Sequence, residues 1–183
     1  LEERPEFDAV AGVRFDRFQF EGNTRDVVAV GTEAGDLVDI GVVAGDPVSE
    51  LGPQEIFVHE DPAEDLGLRP GDEVEVGFSR TGEQTFTVAG IHSDATFAGN
   101  YVISTEAWDA NFTDQLDDFV FVQTADGVDA DAASKAMVDA TAEFPQVEIE
   151  DRQEFLASQQ AQVDQVLVTV NVLLLLAVVI AVL

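Results

Sequence analysis

Residues 12–22, GVRFDRFQFEG, alternate apolar and polar positions: Val13, Phe15, Phe18 and Phe20 stand apart from Arg14, Asp16, Arg17 and Gln19. This is the period of a half-buried strand. The double polar step at Asp16-Arg17 predicts a bulge or bend. DVVAVGT (26–32) predicts a second strand, and EGNTR a hairpin connection between the two. EAGDLVDI (33–40) predicts a short helix or turn, and GVVAGDPVSELGPQ (41–54) a loop-rich link.

The sharpest local pattern follows. A strand is predicted over 55–59. A one-to-two-turn helix is then capped by Asp61, with Pro62 in its first position and Glu64 closing a capping box. Gly67 supplies a left-handed stop, and Leu66 and Leu68 are expected in the core. Pro70-Gly71 turns the chain into a strand over 73–79, and RTG turns it again into a strand over 84–91. Beyond these, NYVIST (100–105) predicts a strand, EAWDANF a helix, and DFVFVQT (118–124) a strand. DADAASKAMVDATAEF predicts an amphipathic helix N-capped by Asp129 and stopped before Pro145, and QVEIE (146–150) a last strand.

The final segment has no such alternation. Val166 to Leu183 holds no charge, no Gly and no Pro, with only Thr169 and Asn171 interrupting the apolar run. Eighteen helical residues rise about 27 Å, close to the roughly 30 Å of a bilayer's hydrocarbon core. A buried core helix would show a polar stripe, so a membrane span is expected, truncated at Leu183. Asn171 suits a hydrogen bond to a neighbouring membrane helix or a place near the interface. Upstream, Asp151 and Glu154 form a capping box, and no Gly or Pro follows. One helix is therefore predicted from about Arg152 through the apolar run, with its aqueous part (152–165) acting as a stalk.

Composition narrows the function. Thirty-seven acidic residues against seven Arg and one Lys give a net charge of −29, which works against nucleic acid and anionic surfaces. The acids are scattered through every element, as in a surface adapted to salt or solubility. There is no Cys, which removes disulfides, thiol catalysis and Cys-ligated zinc. The opening LEERPEF reads as an internal segment of a longer chain.

Candidate chemistry is sparse. The two histidines, His59 and His92, sit in HED and HSD, and their strands are candidates to be neighbours. Adjacency to a carboxylate is nearly guaranteed in so acidic a chain, so no metal site is assigned. The sequence lacks G-x-S-x-G and G-x-x-x-x-G-K-[ST], so no catalytic residue, cofactor-binding residue or cofactor is assigned, and ATP hydrolysis is expected elsewhere. Trp108 and the thirteen Phe residues fit core packing better than a ligand cage.

The phrase AEDLGLRPGDEVEV (63–76) resembles the extracytoplasmic domain of MacB/FtsX-like ABC transporter permeases. DAVAGV near the start, YVISTEAW, DFVFVQT and the closing FLASQQAQVDQV…LLLLAVVIAVL agree in order with it. The resemblance implies an α+β fold: a Porter-like α/β sandwich made by both ends of the chain (1–50 with 113–151) and an inserted β-rich Sabre-like part (51–112). A stalk (152–165) and the start of a transmembrane helix (166–183) follow. It also implies a non-catalytic permease unit in the cell membrane with residues 1–165 extracytoplasmic. Its partners would be a cytoplasmic ABC ATPase, a second permease copy or pseudo-repeat, and membrane lipid. Its work would be substrate export or extraction (a lipid-linked molecule, a peptide or a drug) or mechanotransmission. A membrane-anchored binding or sensor module without an ATPase is the rival reading.

Overall fold

The computed structural model describes residues 4–33, 37, 39–142, 144 and 147–149. Two units are distinguished, residues 1–133 and 134–183. The first is α+β: eight strands in one sheet, with short helices between them.

Strand β1 (Phe7–Phe20) turns back into β2 (Asn23–Val30) through a two-residue loop. Glu21 and Gly22 both have positive φ, 48° and 73°. Paired left-handed residues make the mirror-image turn whose twist matches that of the strands. Glu21 is held in this unfavourable conformation from both sides. Its N–H donates to the Glu75 carbonyl (3.0 Å), and its Oε1 accepts from the Glu75 N–H (3.0 Å). No bulge interrupts the β1–β2 ladder at Asp16-Arg17; register runs unbroken from Val13↔Val30 to Phe20↔Asn23. The apolar set changes face instead. Val13 packs on one side of the strand, and Phe18 and Phe20 on the other, because the two halves of β1 are covered on opposite faces.

The strands after the hairpin are β3 (Val42–Gly45), β4 (Glu55–His59), β5 (Glu73–Phe78), β6 (Gly82–His92), β7 (Tyr101–Ser104) and β8 (Phe119–Thr124). Six of the eight strands close a ring in the order β2-β7-β4-β6-β5-β1, and β1 returns to β2. β2–β7 and β4–β6 are parallel; the other four seams are antiparallel. β8 extends from the first half of β1, and β3 lies against the end of β6. β1 and β2, expected in the outer part of the chain, thus share a sheet with the strands expected in the insert.

Alternation within each strand divides two cores. Phe18, Phe20, Val27, Ala29, Ile56, Val58, Val74, Val76, Phe86, Val88 and Ile103 fill the ring. Val28, Val30, Phe57, Ala89 and Val102 form a second layer outside it, with Ile40, Val48 and Leu51. Aromatic rings run through the interior: Tyr101 lies 4.4 Å from Phe20, Phe18 lies 6.1 Å from Phe78, and Phe78 lies 5.4 Å from Phe112. Trp108 stacks on Phe112 at 3.9 Å and sends its indole N–H to the Asp114 carbonyl (2.6 Å). Trp108 is therefore a core residue, as the sequence suggests.

Helix α1 (Glu60–Leu66) starts earlier than Asp61. Its N-cap is His59, whose Nδ1 accepts from the Asp61 N–H (3.2 Å). Gly67 ends it in the left-handed conformation, φ 71°. Leu68 packs against the core, but Leu66, the last residue of the helix, is exposed. α2 (Ala95–Ala98) is capped by Asp94, and α3 (Thr105–Asn111) by Ser104. α4 (Ala130–Thr141) begins at Asp129, whose Oδ1 accepts from the Asp131 N–H (3.2 Å). Residues 147–149 carry no strand; the Val147 N–H donates to the Phe144 carbonyl (3.0 Å).

The link expected to be loop-rich contains β3. Gly45 makes this possible: at φ 96°, a Cβ there would run into the Ala89 carbonyl and Gly90. Residues 34–36 and 38, half of the stretch 33–40, and all of the stalk and apolar run (152–183), lie outside the described residues. Among the described residues no helix is long and apolar enough to cross a membrane.

Gly45→Ala should therefore lose about 2–3 kcal/mol of unfolding free energy, since it combines left-handed strain with a backbone collision. Gly22→Ala, equally left-handed but opening onto free space, should lose about 1 kcal/mol. Urea midpoints of the two variants against the parent measure the difference.

Candidate functional site

Three places gather polar chemistry. The first is the pair of histidines. β4 and β6 run side by side in parallel, and His59 is the register partner of His92. The rings meet edge to face at 5.4 Å, and both are buried. His59 is satisfied at both nitrogens. Nδ1 caps α1, so Nε2 carries the proton and donates to the Ser93 carbonyl (3.2 Å). His92 is fully enclosed, and neither ring nitrogen has a hydrogen-bond partner among the described residues. Burial, reinforced by the neighbouring His59, pushes its pKa down to about 4 against weaker support from Asp94 and Asn100.

The carboxylates that follow each histidine do other work. Asp94 Oδ1 accepts from the Thr96 N–H (2.7 Å), and Asp61 Oδ2 stands 3.7 Å from His59 Nδ1 and is largely exposed. HED and HSD thus bring the imidazoles together but not their acids, and among the described residues no three potential ligands are set to hold a metal.

The second place is a polar clamp around the end of α3. Arg14 projects from β1, mostly buried, and donates to Asp117 (2.7 Å) and Asp109 (2.7 Å). Burial alone would lower its pKa, but the hydrogen bonds and charges of Asp117 and Asp109 hold it above the ordinary value. Arg80 donates to the carbonyls of Asp109 and Phe112, satisfying the helix end. Asn111 Oδ1 accepts from Thr81 (2.5 Å) and Gln84 (2.6 Å). These groups are joined to each other and serve to anchor. The sequence gives one hint of them: an Arg between Val13 and Phe15 on a strand that is otherwise being buried.

The third place is where the start of β1 meets the end of β8. Phe7 is the partner of Thr124, the last residue of β8, and the Ala125 N–H donates to the Glu6 carbonyl (2.9 Å). The first strand of the sheet therefore begins, and the last one ends, at the same place.

Residues 1–140 match the family described as the MacB-like periplasmic core domain. The chain belongs to this family. It is the extracytoplasmic domain of a MacB-like ABC transporter permease. Among solved structures, the periplasmic region of MacB from Actinobacillus actinomycetemcomitans superposes with TM-score 0.59 at 14% identity, over 78% of this chain and 69% of that one. A domain of a putative permease protein from Porphyromonas gingivalis gives 0.54 at 15%, over 81% and 76%. The extracellular domain of the noncanonic ABC-type transporter YknZ from Gram-positive bacteria gives 0.54 at 16%, over 77% and 80%. Among curated proteins no sequence matches. At these identities the structures agree in fold, and the MacB-like domain's side-chain chemistry has to be read from its own residues.

His92 makes one such reading testable. Its folded-state pKa lies below the ordinary 6.5, so the unfolded chain binds the extra proton first as pH falls. The stability His92 contributes is complete above about pH 6.5 and is lost down to about pH 4, by about 3 kcal/mol. Carboxylate titration also acts in this range, so the signal is a difference. Parent minus His92→Phe unfolding free energy, from urea titrations at pH 7 and pH 4, should fall by about that amount.

Proposed function

We propose that this MacB-like domain is the moving outer part of a permease, coupling ATP-driven displacement of membrane helices to export or extraction of a substrate, or to mechanotransmission. The observation that carries this reading is that the sheet's first strand begins beside the end of its last, Phe7 next to Thr124 and Glu6 bonded to Ala125. A domain inserted between two membrane helices has to return its chain to the surface it came from. A displacement delivered there acts on β1, the one strand paired with β2, β5 and β8 together, so it reaches the closed ring directly.

The apolar run over 166–183 supplies the second of those membrane helices, and residues 152–165 its stalk. The division into a Porter-like part (1–50 and 113–151) and an inserted Sabre-like part (51–112) belongs to the same reading. The partners this reading requires are a cytoplasmic ABC ATPase, a second permease copy or pseudo-repeat, and the surrounding lipid. Substrate classes compatible with it are lipid-linked molecules, peptides and drugs.

The test is reconstitution of the full-length protein with its ATPase in vesicles. ATP should drive accumulation of a candidate substrate or, for mechanotransmission, change the distance between spin labels placed at Asp8 and on the stalk. Both responses should vanish with a hydrolysis-deficient ATPase. A chain that inserts by itself, copurifies with no ATPase and shows neither response would overturn the proposal in favour of an anchored sensor.

A further inference from the structure

β2 meets β7 only from Val28↔Val102 onward. Before that point, Thr24 to Val27 have β1 on one side and, among the described residues, no strand on the other. The turn from α2 into β7 stands off from this free edge and leaves a cleft of about 520 Å³. Its walls carry Arg17, Thr24, Arg25, Asp26, Asn100 and the edge of Tyr101. The volume falls within the range of small-ligand sites, roughly 300–1,000 Å³.

The charge of this cleft is inverted relative to the chain. Acids outnumber bases 37 to 8 overall, yet here two guanidiniums face one carboxylate. Arg17 Nε donates to Asp26 Oδ1 (3.0 Å), but both side chains are largely exposed, 74% and 88%. A pair so well solvated contributes little, and the remaining guanidinium donors stay available. Arg25 is the register partner of Phe18, so it starts from the interior-facing side of β2 at the ring's rim. Its guanidinium lies against the Tyr101 hydroxyl and has no carboxylate partner among the described residues. Thr24 Oγ1 accepts from Gln19 Nε2 (2.8 Å), which leaves its own hydroxyl hydrogen free to donate. Planar guanidiniums with hydroxyl and amide donors are the set that recognises carboxylate and phosphate oxygens.

We propose that the cleft between the β1–β2 hairpin and the α2–β7 turn binds the anionic group, phosphate or carboxylate, of a small molecule or lipid head. The net charge of −29 opposes an anion at long range, but salt screens that field within about a Debye length. Recognition therefore depends on short-range contacts with Arg17 and Arg25. The site does not require coupling to an ATPase, so it stands or falls separately from the permease reading.

The test uses the full chain in zwitterionic nanodiscs at constant high ionic strength. Nε–H resonances of Arg17 and Arg25 are followed during titration with inorganic phosphate, succinate or phosphatidylglycerol vesicles. Saturable shifts are expected with at least one probe, and the probe that saturates names the source: a free phosphate, a free carboxylate or a lipid head. Arg25→Gln and Arg17→Gln should each weaken binding about tenfold or more. Thr24→Glu, which places a carboxylate in the cleft, should abolish it, and the exposed Arg69→Gln should leave it unchanged. Shifts that never saturate, or equal weakening by Arg69→Gln, would overturn the proposal. Unchanged thermal unfolding of Thr24→Glu separates loss of the site from loss of the fold.

Discussion

Closure of the six-strand ring is the constraint on which the rest of this domain depends. A ring this small has no room for solvent, so every strand must send alternate side chains inward and the interior must be filled. Phe18, Phe20, Phe78, Phe86 and Tyr101 do so, and Trp108 and Phe112 continue the packing from α3. The weakest seam is β1–β5, where only Gln19↔Gly77 and Phe20↔Val76 are in register. Glu21 reinforces it by exchanging hydrogen bonds with Glu75 through both its backbone and its carboxylate. A left-handed Glu where a hairpin turn would accept Asn or Gly has a structural reason: its side chain closes the ring.

Closure also determines where polar groups are tolerated. His59 and His92 end two parallel neighbours and point to the outer layer. There one becomes a helix cap, and the other is enclosed as the neutral base. Arg14 leaves β1 where the strand passes from the ring to its pairing with β8, and the acids of the α3 end neutralise it. The cleft at Arg25 opens because β2 and β7 diverge before Val28. Each of these sites lies where a strand begins, ends or changes partner.

The sequence makes local structure legible and hides the ring. The β4–α1–β5–β6 run can be read to within a residue or two because its signals are nearest-neighbour chemistry: a left-handed glycine, a Pro-Gly turn, alternating valines. β3 escapes notice because GVVAGDP looks like a loop. Only the approach of Ala89 and Gly90, more than forty residues away, explains why Gly45 must lack a side chain. The change of face in β1 reads as a bulge for a similar reason, since nothing nearby tells that its two halves are covered from opposite sides. His59 reads as the last residue of a strand because Asp61 is the commoner capping type, whereas an imidazole in its Nε2–H form serves as well. Proximity of the two histidines is foreseeable, but the enclosure of His92 is not. The cleft is invisible in sequence because Arg17, Arg25 and Asn100 acquire a common surface only through the β2–β7 divergence.

Native-state hydrogen exchange tests the closed ring most directly. If the ring is one cooperative body, core amides of β1 and β2 should open with the same free energy as those of β4, β6 and β7, and all should approach the global unfolding value. Exchange of the β1–β2 hairpin at a distinctly lower free energy, with β4–β7 still protected, would show two separately stable parts and contradict the account.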